Sequence, residues 1–334
     1  MLLIKGCNKM NVLVVGGAGY IGSHMVKNLH QNEINVTTLD NLSAGFKSAV
    51  LNGQLIEGDI GDRDCLADLF KKHQFDAVMH FASYIQVGES VNNPAKYYLN
   101  NFTNTQTLLD SMVEHNVKRF IFSSTAAIFG EPEYTPIDEA HVKAPINPYG
   151  KTKFMVEQLL QDYDKAYGMK SVCLRYFNAA GADPEGRIGE RHEPETHLIP
   201  LVLQAASGRR EAITVFGSDY DTPDGTCIRD YIHVDDLADA HTLALNYLME
   251  GGQSTAYNLG NGEGYSIRQV IDAVEKVSGK EIKVIDGERR EGDPARLIAD
   301  STRIISELGW APRYADLETI VEHAWNWERK YPWS

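Results

Sequence analysis

The sequence predicts an α/β protein: a doubly wound parallel sheet joined to a smaller, mixed α/β unit towards the C-terminus. Three observations carry this. Val12-Leu-Val-Val15 is a short apolar run that enters Gly16-Gly-Ala-Gly-Tyr-Ile-Gly22 at once, and a helical pattern follows through Leu29. Apolar runs then alternate with amphipathic stretches as far as about residue 180, the signature of repeated strand–helix–strand units. Polar residues with chemical potential fall just after the apolar runs, where open parallel sheets gather ligands.

Taken in order, Asn35-Val-Thr-Thr-Leu39 reads as the second strand and ends in Asp40. Leu55-Ile-Glu57 leads to Asp59 and Ile60. Leu66 to Lys72 is helical, and Ala77-Val-Met-His-Phe81 is a strand followed by Ala82 and Ser83. A long helix is predicted from about Ala95 to His115, with Asn100 near its start. Phe120-Ile-Phe122 is a strand with Ser123-Ser-Thr125 at its carboxyl end, and Val172-Cys-Leu-Arg175 is the next. From about Gly181 to Glu195 the chain is rich in glycine, proline and charge, hence a loop. Helices follow over Leu198–Ala206, 235–249, 267–277 and Leu317–Lys330, with strands at Ile213–Phe216 and 256–259. The expected division is residues 10–180, rejoined by about 233–260, as one unit, and 181–232 with 261–330 as the other. Met1 to Met10 is expected to be a short extension before the first strand, with Met10 a possible alternative start.

Composition narrows the function. Hydrophobic content of 43% and charged content of 23% over 334 residues describe an ordinary globular chain. No apolar run approaches the roughly 18 residues of a membrane span. Four dispersed cysteines, without a C-x-x-C pair, suit reduced thiols and a cytoplasmic setting. A formal charge of −14 argues against nucleic acid or an anionic membrane as partner, so an anionic small substrate needs local arginines. His192-Glu-Pro-Glu-Thr-His197 is superficially like a zinc motif, but its spacing and Pro194 forbid a helix that would align the ligands, so no metal is expected.

The glycine turn between a strand and a helix fits the pyrophosphate of a dinucleotide, because glycine permits close approach of backbone to a phosphate at the positive helix end. The spacing is G-x-x-G-x-x-G. Asp40, at a strand end about 20 residues on, suits a ribose 2′-hydroxyl and would repel a 2′-phosphate, which selects NAD over NADP. The second chemical stretch is Asn147-Pro-Tyr-Gly-Lys-Thr-Lys153. Asn147 is a good N-cap and Pro148 fits the first helical position, so Tyr149 and Lys153 share one face. A phenol has a pKa near 10; a fixed ammonium nearby would favour the phenolate, and a shift of about three units needs about 4 kcal/mol.

The glycine motif, the strand-end Thr125 and Tyr149-x-x-x-Lys153 together resemble the extended short-chain dehydrogenase/reductase superfamily. Val87-Gly-Glu-Ser90, Arg175-Tyr-Phe-Asn178, Gly186-Arg-Ile-Gly-Glu190, Phe216-Gly-Ser-Asp-Tyr220, Asp224-Gly-Thr226 and Arg229-Asp-Tyr-Ile-His-Val234 narrow the resemblance to its UDP-sugar 4-epimerases, from about Asn11 to Trp327. The resemblance implies a Rossmann-type fold, tightly held NAD and interconversion of UDP-glucose and UDP-galactose by oxidation at C4, turnover of a 4-keto sugar and reduction of its other face. It implies catalytic roles for Thr125, Tyr149 and Lys153. NAD positions are Gly16, Gly19, Tyr20, Ile21, Gly22, Asp40, Asn41, Asp59, Ile60, Phe81, Ala82, Ser83, Asn100, Tyr149, Lys153 and Phe177. Substrate positions are Thr125, Asn178, His197, Leu198, Val215, Phe216, Arg229, Arg290, Asp293 and Leu297, with Arg229 and Arg290 expected at the diphosphate. A homodimer pairing helices at about 95–115 and 148–167 is also implied.

Departures from the resemblance carry expectations of their own. Ile85 and Gln86 stand where many members carry a lysine that touches the cofactor, which predicts looser NAD retention. His197 stands where an asparagine is common. Leu297 stands where a bulky tyrosine restricts some members to plain sugars, which predicts acceptance of UDP-N-acetyl sugars. A 4,6-dehydratase would carry an Asp-Glu pair after the strand-end threonine, and Ala126-Ala127 follow here instead. A UDP-pentose 4-epimerase is the runner-up; a silent NAD-binding regulator would be expected to have lost Tyr149 or Lys153.

Overall fold

The computed structural model describes residues 9–290 and 293–331. Its centre is a seven-stranded, all-parallel sheet. The strands lie in the order Thr255–Leu259, Lys170–Tyr176, Arg119–Thr125, Ala77–His80, Asn11–Val15, Asn35–Asp40 and Gln54–Glu57. The order reverses direction around Asn11–Val15 and Ala77–His80, and the strand ends there open a crevice. Strand interiors such as Val12, Leu13 and Val14 are wholly buried because helices cover both faces. One face packs Met25, Val26 and Leu29 of the first helix with Leu237, Leu245 and Leu248 of helix Val234–Met249. The other packs Leu66, Leu69, Leu108, Met112, Val156 and Leu160.

Three small sheets lie outside the large one: Ile213–Phe216 with Val284–Gly287, Asn178–Ala180 with Tyr231–His233, and a three-stranded set of Tyr265–Ser266, Ile228–Arg229 and Arg296–Leu297. A separate apolar cluster unites helices Leu198–Ala206, Ile267–Ser278 and Leu317–Lys330 through Val202, Leu203, Val270, Val274, Ile320 and Val321. Ile304 and Trp310, from the stretch expected in this second unit, pack against the large sheet instead. The chain therefore returns once more to the first core near its end.

Several elements differ from the sequence reading. The long helix expected over 95–115 is helical throughout, but Tyr98–Thr103 is wound as a π-helix between Pro94–Tyr97 and Asn104–Glu114. Helices Val87–Asn92 and Thr302–Leu308 and strand Val284–Gly287 were not anticipated; each is short and weakly periodic. The first eight residues of the expected N-terminal extension, with Cys7, lie outside the described residues. Among the described residues the cysteines are free, and no helix is long and apolar enough to cross a membrane.

Candidate active site

The glycine turn is built so tightly that side chains could not enter it. Gly16 has φ +80°, and a Cβ there would lie 2.5 Å from the Ala82 amide nitrogen. A Cβ on Gly22 would lie 2.1 Å from the Gly16 carbonyl oxygen. Helix Tyr20–Gln31 starts at Gly19 with no side chain capping it, which leaves its first N–H groups for an anion. Beside them, Asp40 Oδ2 accepts from Ala18 N at 2.9 Å and Oδ1 from Leu42 N at 2.8 Å. Burial pushes this carboxyl up, and the two backbone donors oppose it. Asn41 donates to Asp59 Oδ2 at 2.6 Å, and Ile60 is buried next to them, so these strand ends form one wall. The cradle, the open helix end and a carboxylate held at the next strand end fit an NAD pyrophosphate and ribose.

On the other side of the crevice, helix Pro148–Tyr167 begins as expected: Asn147 Oδ1 accepts from Gly150 N at 2.9 Å. The helix carries Tyr149, Lys153 and Glu157 on one stripe. The Thr125 hydroxyl lies close enough to the Tyr149 phenol to favour its ionised form. Burial raises the Tyr149 pKa, and Thr125 alone pulls it down. The ammonium expected to depress it is directed elsewhere: Lys153 Nζ donates to Ser83 Oγ at 2.7 Å and to Ser123 O at 2.8 Å. Lys153 is itself 2% exposed, and burial lowers its pKa to about 7 despite the opposing charge of Glu157. Thr125 ends the strand by accepting from Ala127 N at 3.1 Å, which fixes its hydroxyl.

Two residues that sequence reasoning passed over support this geometry. Glu157 accepts from Ser124 Oγ at 2.6 Å and pairs with Arg175, Oε2 to Nη2 2.6 Å. The four-residue step from Lys153 to Glu157 on the helix was its available signal. Asn101, 1% exposed, accepts from Tyr84 N at 2.9 Å and donates to Tyr84 O at 3.0 Å, fixing the turn after Ser83. Asn100 donates to Asn101 Oδ1 at 3.0 Å. The π turn aims the buried Asn101 at that turn, which regular helical spacing does not foretell.

The expected substrate residues come together in part. Phe177 and Leu297 pack on Ala126, Ile128 and Phe129, directly beyond Thr125. Asn178 is tied to Asp230 O by its backbone and by Nδ2, 2.9 Å. Arg229 pairs with Asp293, and the Arg290 guanidinium stacks 3.9 Å from the Phe216 ring centroid. Val215 differs from expectation. It is 1% exposed in the core under the small sheet, because strand alternation sends Phe216 outwards and Val215 inwards, so it offers a ligand only its backbone. His197 precedes helix Leu198–Ala206. Its Nδ1 lies 2.8 Å from Glu190 and 2.9 Å from Glu195; burial disfavours its charge, but the carboxylates overcome this and raise its pKa to about 10.

An open parallel sheet with a glycine cradle, facing a Tyr/Lys helix and a strand-end threonine, defines a dinucleotide-dependent enzyme that moves a hydride and a proton at one carbon. Residues 12–260 match the NAD dependent epimerase/dehydratase family, and the chain belongs to that family. It is 53% identical over 323 residues to a UDP-glucose 4-epimerase of Halalkalibacterium halodurans, with 97% of each chain covered. The structure is similar to a UDP-glucose 4-epimerase from Brucella ovis in complex with NAD: TM-score 0.92, 50% identity, 94% of this chain and 97% of that one. It is also similar to the UDP-Glc/GlcNAc 4-epimerase of Campylobacter jejuni: TM-score 0.85, 44% identity, 96% of this chain and 100% of that one.

Proposed function

We propose that the protein interconverts UDP-glucose and UDP-galactose by oxidising the sugar at C4 and reducing the ketone from its other face. The observation that carries this is the Thr125–Tyr149 hydroxyl pair, four residues from Lys153, facing the glycine cradle. NAD, when bound, supplies the hydride acceptor and its positive charge. Tyr149 takes the proton from the 4-hydroxyl, with Thr125 bridging sugar and phenol. Lys153, oriented by Ser83 and Ser123 O, holds the nicotinamide ribose. The proton that Tyr149 takes from the hydroxyl is the one it returns when the ketone is reduced, and burial, which raises the phenol pKa, favours holding it in between.

Arg229 and Arg290 offer the positive charge that a diphosphate requires in a chain of formal charge −14. Leu297 beside Phe177 leaves room for a 2-acetamido group, so UDP-N-acetyl hexoses are also substrates; the Campylobacter jejuni relative, described as a UDP-Glc/GlcNAc epimerase, supports this reading. The working form is a homodimer pairing helices at about 95–115 and 148–167, and the exposure of Leu99 (59%) and Tyr167 (50%) supports it.

The test is epimerisation of UDP-galactose, UDP-N-acetylgalactosamine and UDP-arabinose by purified protein without added NAD, with products resolved by chromatography. Turnover of the hexoses supports the reaction and retained cofactor together. Turnover of the pentose alone moves the assignment to a UDP-pentose epimerase. A requirement for added NAD points to Ile85 and Gln86, which replace the family's cofactor-touching lysine. No turnover even with NAD overturns the proposal.

A further inference from the structure

The loop before helix Leu198–Ala206 gathers Glu190, His192, Glu195 and His197 so that one ligand atom from each lies within 4.8 Å of every other. No helix is needed to align these side chains, because the loop itself brings their ligand atoms together. We propose that these four side chains form a binding site for a first-row divalent cation, zinc foremost, next to the UDP-sugar site.

Geometry is the first argument. Imidazole nitrogens and carboxylate oxygens alternate around the cluster. His197 Nδ1 stands 2.8 Å from Glu190 Oε1 and 2.9 Å from Glu195 Oε1. His192 Nδ1 stands 3.2 Å from Glu190 Oε1 and 3.5 Å from Glu195 Oε2. A tetrahedral zinc site with bonds of about 2.0–2.1 Å has ligand–ligand edges of about 3.3 Å; the imidazole–carboxylate distances lie near that value, and the remaining pairs, all within 4.8 Å, close onto one ion by side-chain rotation. Two imidazoles and two carboxylates are also the donors that suit zinc and its neighbours rather than calcium or magnesium.

The second argument is an unmet valence. His192 Nδ1 is buried and makes no hydrogen bond of good geometry, although two carboxylates flank it. A cation between the carboxylates would satisfy it. The frame is fixed from outside: Trp327 Nε1 donates to Glu190 O at 2.9 Å, Ala182 pairs with Gly189, and Thr196 N and His197 N hold Glu195 Oε1. A cavity of about 20 Å³, lined in part by Gly181, Glu190, His192 and Glu195, adjoins the cluster.

Charge balance is the third. Two imidazolium ions against two carboxylates are neutral, and one dication with two neutral imidazoles and two carboxylates is neutral too. The ion therefore exchanges for two protons at no net change of charge. Because an imidazole must shed its proton to bind a metal, binding strengthens with pH.

The experiment uses untagged, full-length protein, stripped with a chelator, dialysed and titrated with Zn²⁺ by calorimetry at several pH values, with Co²⁺ absorption as a second readout. One saturable Zn²⁺ per chain is expected, weakened about 100-fold by His192→Ala and by the near-isosteric Glu195→Gln. Retained NAD content and circular dichroism establish that each variant folds. Co²⁺-loaded wild type should show the intense visible band of four-coordinate ligation, absent from any variant that folds. No saturable binding, a site undiminished by the folded variants, or a six-coordinate Co²⁺ spectrum would each overturn the proposal, the last even if neither variant folds.

Discussion

Tyr149 meets two opposed demands, and its surroundings are divided between them. Burial raises its pKa, the Thr125 hydroxyl lowers it, and Lys153 spends its ammonium on Ser83 and Ser123 O. Tyr149→Phe should therefore abolish turnover, by about 10²–10⁴-fold or more, while NAD stays bound; a rate within tenfold of wild type would remove Tyr149 as the base. Glu157 is the anion that opposes the loss of charge at Lys153. In Glu157→Gln that opposition goes, so the Lys153 pKa falls further and the alkaline limb of the kcat–pH profile moves to lower pH. The same change leaves the buried Arg175 without its partner and should cost about 3–5 kcal/mol in urea unfolding. An unmoved profile in a folded variant would confine Glu157 to a structural role. Leu297→Tyr should lower the rate with UDP-N-acetylgalactosamine relative to UDP-galactose, and an unchanged ratio would remove Leu297 as the selector.

At the scale of elements, the catalytic helix and the π turn do different work. Helix Pro148–Tyr167 starts at Asn147, a cap visible in the sequence, and so its register over Thr125 was legible. Asn147→Ala should cost about 1 kcal/mol of stability, read from the denaturant midpoint, and lower activity by loosening the first turn that carries Tyr149. Tyr98–Thr103 was legible as helix but not as π-helix, because the extra residue in its turn answers to the packing of Asn101 beneath Tyr84. Strand Ile213–Phe216 was legible as a strand, but which residues faced the ligand was not. Period-two alternation defines two faces, and only the helices packed beneath decide that Val215 is inside.

For the whole molecule, the Glu190–His197 cluster couples stability to pH. Both imidazoles have pKa values raised above their unfolded values, so their contribution is full below about pH 6.5 and is lost as pH rises through about 9 and 10. The melting temperature should fall from pH 7 to pH 10, and His192→Ala should flatten that fall. An equal slope in the folded variant would place the pH dependence elsewhere. Zn²⁺ should restore stability at the alkaline end, where it no longer competes with protons. The proposed dimer is read at this scale too: sedimentation should give twice the chain mass, and Leu99→Asp should return the monomer.

The sequence by itself determined the sheet, the glycine cradle, Asp40 and the Thr125, Tyr149 and Lys153 constellation. Each of these depends on local rules: a strand must end, a tight turn must be glycine, and a cap sets a helical face. Only the tertiary structure decided that Lys153 turns to Ser83 and Ser123 O, that Glu157 supports it, that Val215 points into the core, and that Glu190, His192, Glu195 and His197 converge. These depend on which side chains meet across loops and strands distant in sequence. The physical reason is packing: a loop without periodicity has no face of its own until the helices and strands around it supply one.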